Sequence, residues 1–496
     1  MPAAGRSAHF QISVLAAACT ALAAPWPCVA RAQDEAGAPL IGRDFNIDLV
    51  TGPVLGAGRA VGLGGAYTAI ATGAEGGSWN AASYAARGHW DIDWFEWELA
   101  LNLVPGAIRN SDFDNNGEPG FTYDTFLFGS GGVCLQFGAF GVGGLANIQS
   151  YRIDGGRELL LAVYNYGASY ALAQGQLILG LGLRTAALTI GDMGGSDPLV
   201  DVAGTGPEAG AQLRLADQPW SLGVAARMPV KTAQPDTLVA VGLMLPRHIH
   251  MPWEVQVGAA LQLGPRPLNR VWVNPHDVSR SLRDELRDRR DARERAQYER
   301  EVQDARLQLA QERAPPQVPE LGSPYGAARS SPEGTPSDPA FWQRETLLRE
   351  REQRAMHEES ERLEAERKAA YENLSRRYLL ISAETIFVGP TDDGVGLESF
   401  LSNSEHASGR NVTVGFRAGI EGEPVAHWLK MRAGTYFEPS RFDGVPYRVH
   451  GTLGADVRLF SWDLFGLLEE FTVRGGASAD VAERYLNVGV GIGLWH

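Results

Sequence analysis

The stretch Leu177 to Arg184, LILGLGLR, places Leu177, Leu179, Leu181 and Leu183 on one face of an extended chain and Gly180, Gly182 and Arg184 on the other. Side chains alternate across a strand, so one side of this segment needs an apolar surrounding and the other takes only small or charged groups. The C-terminal stretch repeats the pattern, with Leu486, Val488, Val490, Ile492 and Leu494 alternating with Asn487, Gly489, Gly491 and Gly493. A soluble sandwich shows the same period in any one strand. Recurrence decides, because segments of about ten alternating residues separated by turns are the signature of a transmembrane barrel. Further candidate strands lie near 90–104, 124–137, 140–152, 158–172, 206–217, 219–231, 238–263, 378–390, 410–422, 427–438, 447–461 and 468–479. The reading is all-β, a 14-stranded antiparallel transmembrane β-barrel. An even strand number puts both termini on the periplasmic side.

Connection lengths support that orientation. The odd connections near 105–123, 191–205, 391–409 and 439–446 are long and polar, as outer loops are, whereas Gly138-Ala139, Ala173 to Gly175, Asp217-Gln218 and Glu423 to Ala426 are short. Trp90, Trp94 and Trp97 gather near one end of the first strand, where aromatic rings favour the lipid headgroup level. The period slips between Trp94 and Trp97, which predicts a bulge near Phe95.

The N-terminal residues 1–32 read as a secretory signal peptide: Arg6, an apolar run from Ile12 to Ala24, and an Ala30-Arg31-Ala32 end. Pro25 and Pro27 keep the run shorter than the ~20 residues that a membrane helix needs. Export to the outer membrane of a Gram-negative-type cell follows. Removal of the peptide takes Cys19 and Cys28, leaving Cys134, so no disulfide forms within the mature chain.

Next comes Gly56 to Ser83, in which 8 residues are glycine and most of the others are small. It lacks the side-chain volume for a core of its own and requires close enclosure by other structure. Residues 33–87 are therefore read as an N-terminal segment carrying a hatch or plug, with 88–263 and 378–496 as the enclosing wall. The motif elements Gly58-Arg59-Ala60, Gly62, Gly64-Gly65-Ala66-Tyr67 and Trp79-Asn80-Ala81 are similar to the hatch of the FadL/TodX family of outer-membrane hydrophobic-compound transporters. Ala81 stands where that family has proline. A second similarity is Met431 to Phe460, which resembles the late barrel strands of the family. The resemblance implies a plugged barrel that passes fatty acids or aromatic hydrocarbons inward, in contact with outer-membrane lipid. Under it Gly58, Arg59, Gly62, Gly64, Gly65, Tyr67, Trp79 and Asn80 are the hatch residues, with Arg59 and Trp79-Asn80 as pins to the wall.

One connection breaks the alternation. Residues 264–377 should be a short turn but form a long insertion, and 276–377 hold 20 of the 44 Lys and Arg and 22 of the 59 Asp and Glu. Two charged stretches, Asp277 to Arg313 and Phe341 to Arg377, flank a proline-rich linker and favour helix, with Glu285/Arg289, Glu345/Arg349, Glu358/Arg362 and Glu364/Lys368 at supportive spacing. Their apolar positions do not sustain a coiled-coil seam. A helical hairpin and two single solvated helices are the alternatives. Either makes a periplasmic arm suited to a protein partner, and a non-transporting scaffold that works through this arm is the second functional reading.

The net charge of −15 argues against nucleic-acid binding. Asp112, Asp114 and Asn116 precede Gly117 as in a calcium loop, but the twelfth position is Tyr123 rather than glutamate. A polar turn is the simpler reading, and a weak divalent-ion site on an outer loop is the other. His248 and His250 share a strand face without a third ligand. No nucleophile elbow, HExxH or CxxC occurs, so neither an enzyme nor a cofactor is expected.

Overall fold

The computed structural model describes residues 39–494 apart from 51, 89–92, 105–110, 119–125, 154–156, 193–197, 237–238, 241–242, 313–338 and 463–470. The expected signal peptide lies outside the described residues. Fourteen antiparallel strands close into a barrel. In chain order they are β1 (Phe95–Val104), β2 (Phe126–Phe137), β3 (Phe140–Ile153), β4 (Arg157–Leu172), β5 (Leu177–Asp192), β6 (Val200–Leu213) and β7 (Trp220–Arg227). Then come β8 (Glu254–Leu263), β9 (Leu379–Val388), β10 (Thr413–Val425), β11 (Leu429–Glu438), β12 (Arg448–Trp462), β13 (Phe471–Ala482) and β14 (Tyr485–Leu494). Each strand pairs with the next, and β14 returns to β1 over Ala100–Gly493 to Leu103–Val490. Closure gives every barrel strand a hydrogen-bonded neighbour on both sides.

The alternation seen in the sequence becomes inside and outside. Along β5, Leu177, Leu179, Leu181 and Leu183 are exposed while Ile178, Gly180 and Arg184 are buried. On β1, Leu99, Leu101 and Leu103 face out and Asn102 faces in. Such a leucine-covered exterior is unfavourable in water, at roughly 25 cal/mol per Å² of apolar surface, and is at home in lipid.

Several strand boundaries differ from the sequence expectation. The β1–β2 register runs unbroken from Phe95–Phe137 to Val104–Phe128, so no bulge occurs there. The slipped period arises because Trp94 sits in the bend before the strand, its ring edge-on to Phe137 at 5.9 Å. Trp90 lies outside the described residues. The expected strands 219–231 and 238–263 shorten to β7 and β8. Pro229, Pro246 and Pro252 have no N–H to give a ladder, and the chain between the two strands turns inward. There, with other segments, it builds an inner sheet in the order Ala407–Ser408, Gly394–Gly396, Asn46–Asp48, His248–Met251, Val230–Lys231. His248 and His250 belong to this sheet, and His248 Nδ1 lies 2.9 Å from the Thr232 carbonyl.

The wall changes character at the same place. β6 runs on to Val200, but its ladder with β7 ends at Glu208–Arg227. Past that point Met228 N donates to the Pro207 carbonyl at 3.0 Å and Ala233 N to the Ala203 carbonyl at 3.3 Å. Connection lengths are also less regular than expected: Ala482 and Tyr485 close a two-residue turn at the end where long loops were anticipated.

The insertion forms a separate compact unit, Val273–Asn373. It contains the helices Pro275–Glu312 and Pro339–Glu372, each opening on a proline whose missing N–H costs nothing at a first helical position. Arg289 pairs with Glu285 at 2.6 Å as expected, whereas Arg362 pairs with Glu359 and Glu366 rather than Glu358. The unit is smaller than 264–377 because the chain just before it packs on the barrel: Arg266 lies over the Tyr378 ring at 4.8 Å and Trp272 under Arg87 at 4.3 Å.

Candidate functional site: the filled lumen

The N-terminal segment occupies the inside of the barrel. It folds into two single-turn helices, α1 (Gly58–Gly62) and α2 (Gly73–Gly76), and a 3₁₀ turn, Ala81–Ala85. Its backbone runs so close to the wall that both sides need glycine. Gly64 and Gly65 take φ of +61° and +78°, and a Cβ on wall residue Gly419 would meet the Leu63 carbonyl at 2.5 Å. Gly434 on β11 stands equally close to Leu63 and Gly64.

Backbone groups of so short a segment cannot all pair among themselves, and wall side chains satisfy many of them. Glu384 accepts from Tyr67 N at 3.1 Å and Thr68 N at 2.9 Å. Gln212 donates to the Ala71 carbonyl at 2.8 Å, Ser221 to that of Ala69 at 3.1 Å and Gln136 to that of Tyr84 at 2.9 Å. Buried Cys134 packs beneath the same Tyr84 carbonyl.

Each residue singled out in the sequence has a place here. Arg59 makes two bonds to Glu421, at 2.8 and 3.0 Å. Asn80 caps the 3₁₀ turn through Ala82 N at 3.0 Å and donates to the carbonyls of Thr68 and wall residue Ala211, both at 3.1 Å. Gly58 N donates to Asn102 at 3.3 Å, and Gly62 abuts Gly454. Trp79 stands edge-on to Tyr67 at 5.9 Å and belongs to a buried cluster that also holds Ala260, Leu380 and Tyr436 of the wall.

Sequence reasoning missed the acidic and basic groups that receive these anchors. Arg432 bonds Glu421 at 2.6 Å and Asp456 at 2.7 Å, and Arg474 bonds Asp456 at 2.9 Å and reaches Glu75 of α2. Nearer the other end His450 lies between Glu438 at 2.7 Å and Asp480 at 2.8 Å, stacked on Tyr436 at 4.1 Å. Strand parity carried a signal, since Glu421, Arg432 and Asp456 all fall on inward positions.

Among the described residues, two of the larger cavities border the segment. One, of about 220 Å³, has Val54, Leu55, Trp79, Phe128, Val163 and Met251 among its lining. It also touches Arg227 and Glu254, at the point where β7 stops and β8 begins. The other, of about 110 Å³, lies between Arg59, Tyr67 and Glu75 of the segment and Tyr378, Glu421 and Lys430 of the wall.

The calcium-loop fragment is assembled differently from the sequence reading. Asp112 and Asp114 meet Glu398, from the short helix Leu397–Leu401, with one oxygen of each within 4.8 Å of the others. Asn116 turns away, its Oδ1 accepting from Glu118 N at 2.7 Å. Burial pushes the Asp112 carboxyl up to about 6. Burial and then the Asp112 charge push Asp114 up to about 8, and burial with Asp114 beside it raises Glu398 as well.

A closed 14-stranded barrel whose lumen holds its own N-terminal segment is the class that fold and site define. Three solved structures are similar over most of their length. The CymD monoaromatic hydrocarbon channel is 10% identical, with 91% of this chain and 97% of that chain covered and a TM-score of 0.42. A FadL homologue of Pseudomonas aeruginosa is 11% identical, with 90% and 98% covered and a TM-score of 0.34. The P. putida toluene transporter TodX is 10% identical, with 84% and 92% covered and a TM-score of 0.39. No family model and no curated protein sequence matches the chain. The assignment of fold rests on the strand ladder itself.

Proposed function

We propose that this protein is an outer-membrane channel for small hydrophobic compounds, with 41–87 acting as a hatch between the two cavities. The observation that carries the reading is the cavity of about 220 Å³ bounded by the segment itself, whose lining sets Val54, Trp79, Phe128 and Met251 beside Arg184, Glu254 and Arg417. An apolar solute gains little from a water-filled pore and needs an apolar resting place on its path. At about 220 Å³ the cavity is large enough for a monoaromatic-sized compound, and an extended long-chain fatty acid requires the hatch to shift. Arg59 and Asn80 are the pins that hold the hatch closed. Entry from the lipid side fits the interrupted ladder beyond Arg227, which the cavity adjoins.

The test is uptake of a labelled monoaromatic hydrocarbon and a long-chain fatty acid by cells with and without the protein. Protein-dependent uptake of the aromatic is expected, and none would end the channel reading. A hatch lock separates the second element: a Cβ on Gly58 would meet Ser478 Oγ at 3.9 Å, so Gly58→Cys with Ser478→Cys can be bridged after a small adjustment. Uptake should fall on oxidation and return on reduction. Equal uptake in both states would show that the hatch does not move. The second reading, a scaffold acting through 276–377, is favoured by the separate compactness of Val273–Asn373. It predicts capture of a periplasmic partner by that unit without any protein-dependent uptake.

A further inference from the structure

Asp112 and Asp114 lie in the connection from β1 to β2, and Glu398 lies in the connection from β9 to β10. Their carboxylate oxygens converge within 4.8 Å. Of the hydrogen bonds around them, two lie within the β1–β2 connection and two cross between it and Glu398. The Asp112 oxygens accept from Asn116 N and Gly117 N, both at 3.0 Å, and Glu398 Oε1 accepts from Phe113 N at 2.9 Å. Asp114 Oδ2 takes Glu398 N at 3.3 Å. Among the described residues no N–H or O–H group donates to Glu398 Oε2 or Asp114 Oδ1, both buried, and the two side chains lie within hydrogen-bond reach of each other.

Glu398 is only 5% exposed, so water does not compensate its Oε2. Aromatic rings stand beside them, Phe113 tilted against Phe126 at 4.4 Å and edge-on to Tyr485 at 5.4 Å. Arg448 stands 3.8 Å from Asp112 but is engaged with Glu438 at 2.8 Å. Three carboxylates in this setting repel one another strongly unless a cation joins them. Calcium binds oxygen ligands at ~2.3–2.6 Å, so ligand atoms on opposite sides of the ion stand ~4.6–5.2 Å apart.

We propose that Asp112, Asp114 and Glu398 form a divalent-cation site that prefers calcium and clamps the β1–β2 connection to the β9–β10 connection. Asp114 also lines the cavity of about 220 Å³, which places the ion at the edge of that cavity. With water completing the shell and only these side chains as protein ligands, affinity falls in the range of extracellular calcium modules, ~10⁻⁴–10⁻³ M. The segment's spacing alone suggested Asn116 as a ligand. The geometry replaces it with Glu398, 286 residues from Asp112 in the chain.

The experiment is calorimetric titration of the full-length purified protein in detergent at pH 8 with calcium chloride after chelator treatment, paired with thermal unfolding. Saturable calcium binding and a raised Tm are expected, with magnesium at least tenfold weaker. Glu398→Gln should abolish both effects. Asn116→Ala should retain them, which separates the proposed ligand set from loop folding in general. Asp114→Asn provides a second ligand variant if Glu398→Gln folds poorly. No saturable binding by the unaltered protein up to ~10 mM calcium, binding that survives in both Glu398→Gln and Asp114→Asn, or equal affinity for magnesium would each overturn the proposal. In the first of these outcomes the carboxylates share a proton instead.

Discussion

The lumen and the inserted helices are both crowded with charge, and the same residue types do opposite work in them. In the helices the pairs are exposed: Arg289 and Glu285, 2.6 Å apart, keep more than half of their side-chain surface in water. Solvent screens such a pair, and it contributes a few tenths of a kcal/mol to its own helix. In the lumen Arg432 and Glu421, also 2.6 Å apart, are 2% and 3% exposed. There each charge depends on its partner, because water cannot replace it. One region uses charge to stay solvated, and the other uses it to hold a backbone-rich segment in register with a wall.

The contrast can be broken most forcefully at Arg432. Arg432→Met leaves Glu421 and Asp456 short of a cation, and a loss of ~3–5 kcal/mol is expected in the urea unfolding of the purified barrel. Arg59 and Arg474 remain beside them, so a loss under ~1 kcal/mol would mean that these two suffice. Next in size is Gly434→Val, which drives a side chain into Leu63 and Gly64 at a cost of ~1–3 kcal/mol by overpacking. Its sharper readout is leak of small polar solutes through a barrel that still folds; no added leak would show that the segment does not seal the lumen.

The acidic cluster tests a third environment, neither fully solvated nor paired. The carboxyls of Asp112 and Asp114 are raised, so the folded state favours their protonated forms. The stability they contribute is complete below the ordinary carboxylate range near 4 and is lost as pH rises through about 6 for Asp112 and about 8 for Asp114. In chelator, Tm should decline across that window, and saturating calcium should flatten the slope. A flat profile in chelator would refute the burial argument. The smallest effect belongs to the arm: Glu285→Ala should change helix content by the equivalent of ~0.2–0.5 kcal/mol and leave the barrel's urea midpoint where it was. A shifted midpoint would mean that the arm's charges support the barrel after all.

Much of this protein was legible without coordinates. The strict alternation of LILGLGLR and of the last strand, repeated in segments of about ten residues, pointed to a barrel wall with leucine outside. The glycine content of 56–83 determined that this segment must be enclosed, and the charge run of 276–377 that it must be solvated. Boundaries at Phe95 and Arg227 were not legible, because a bend before a strand and a proline-broken ladder leave the local pattern almost unchanged. What only the tertiary structure decided is which distant groups meet. Arg59 finds Glu421, Tyr67 and Thr68 find Glu384, and Asp112 finds Glu398, each pairing across hundreds of residues. Periodicity tells which way a side chain points, but barrel closure and register set what stands opposite it, and those come from all fourteen strands together.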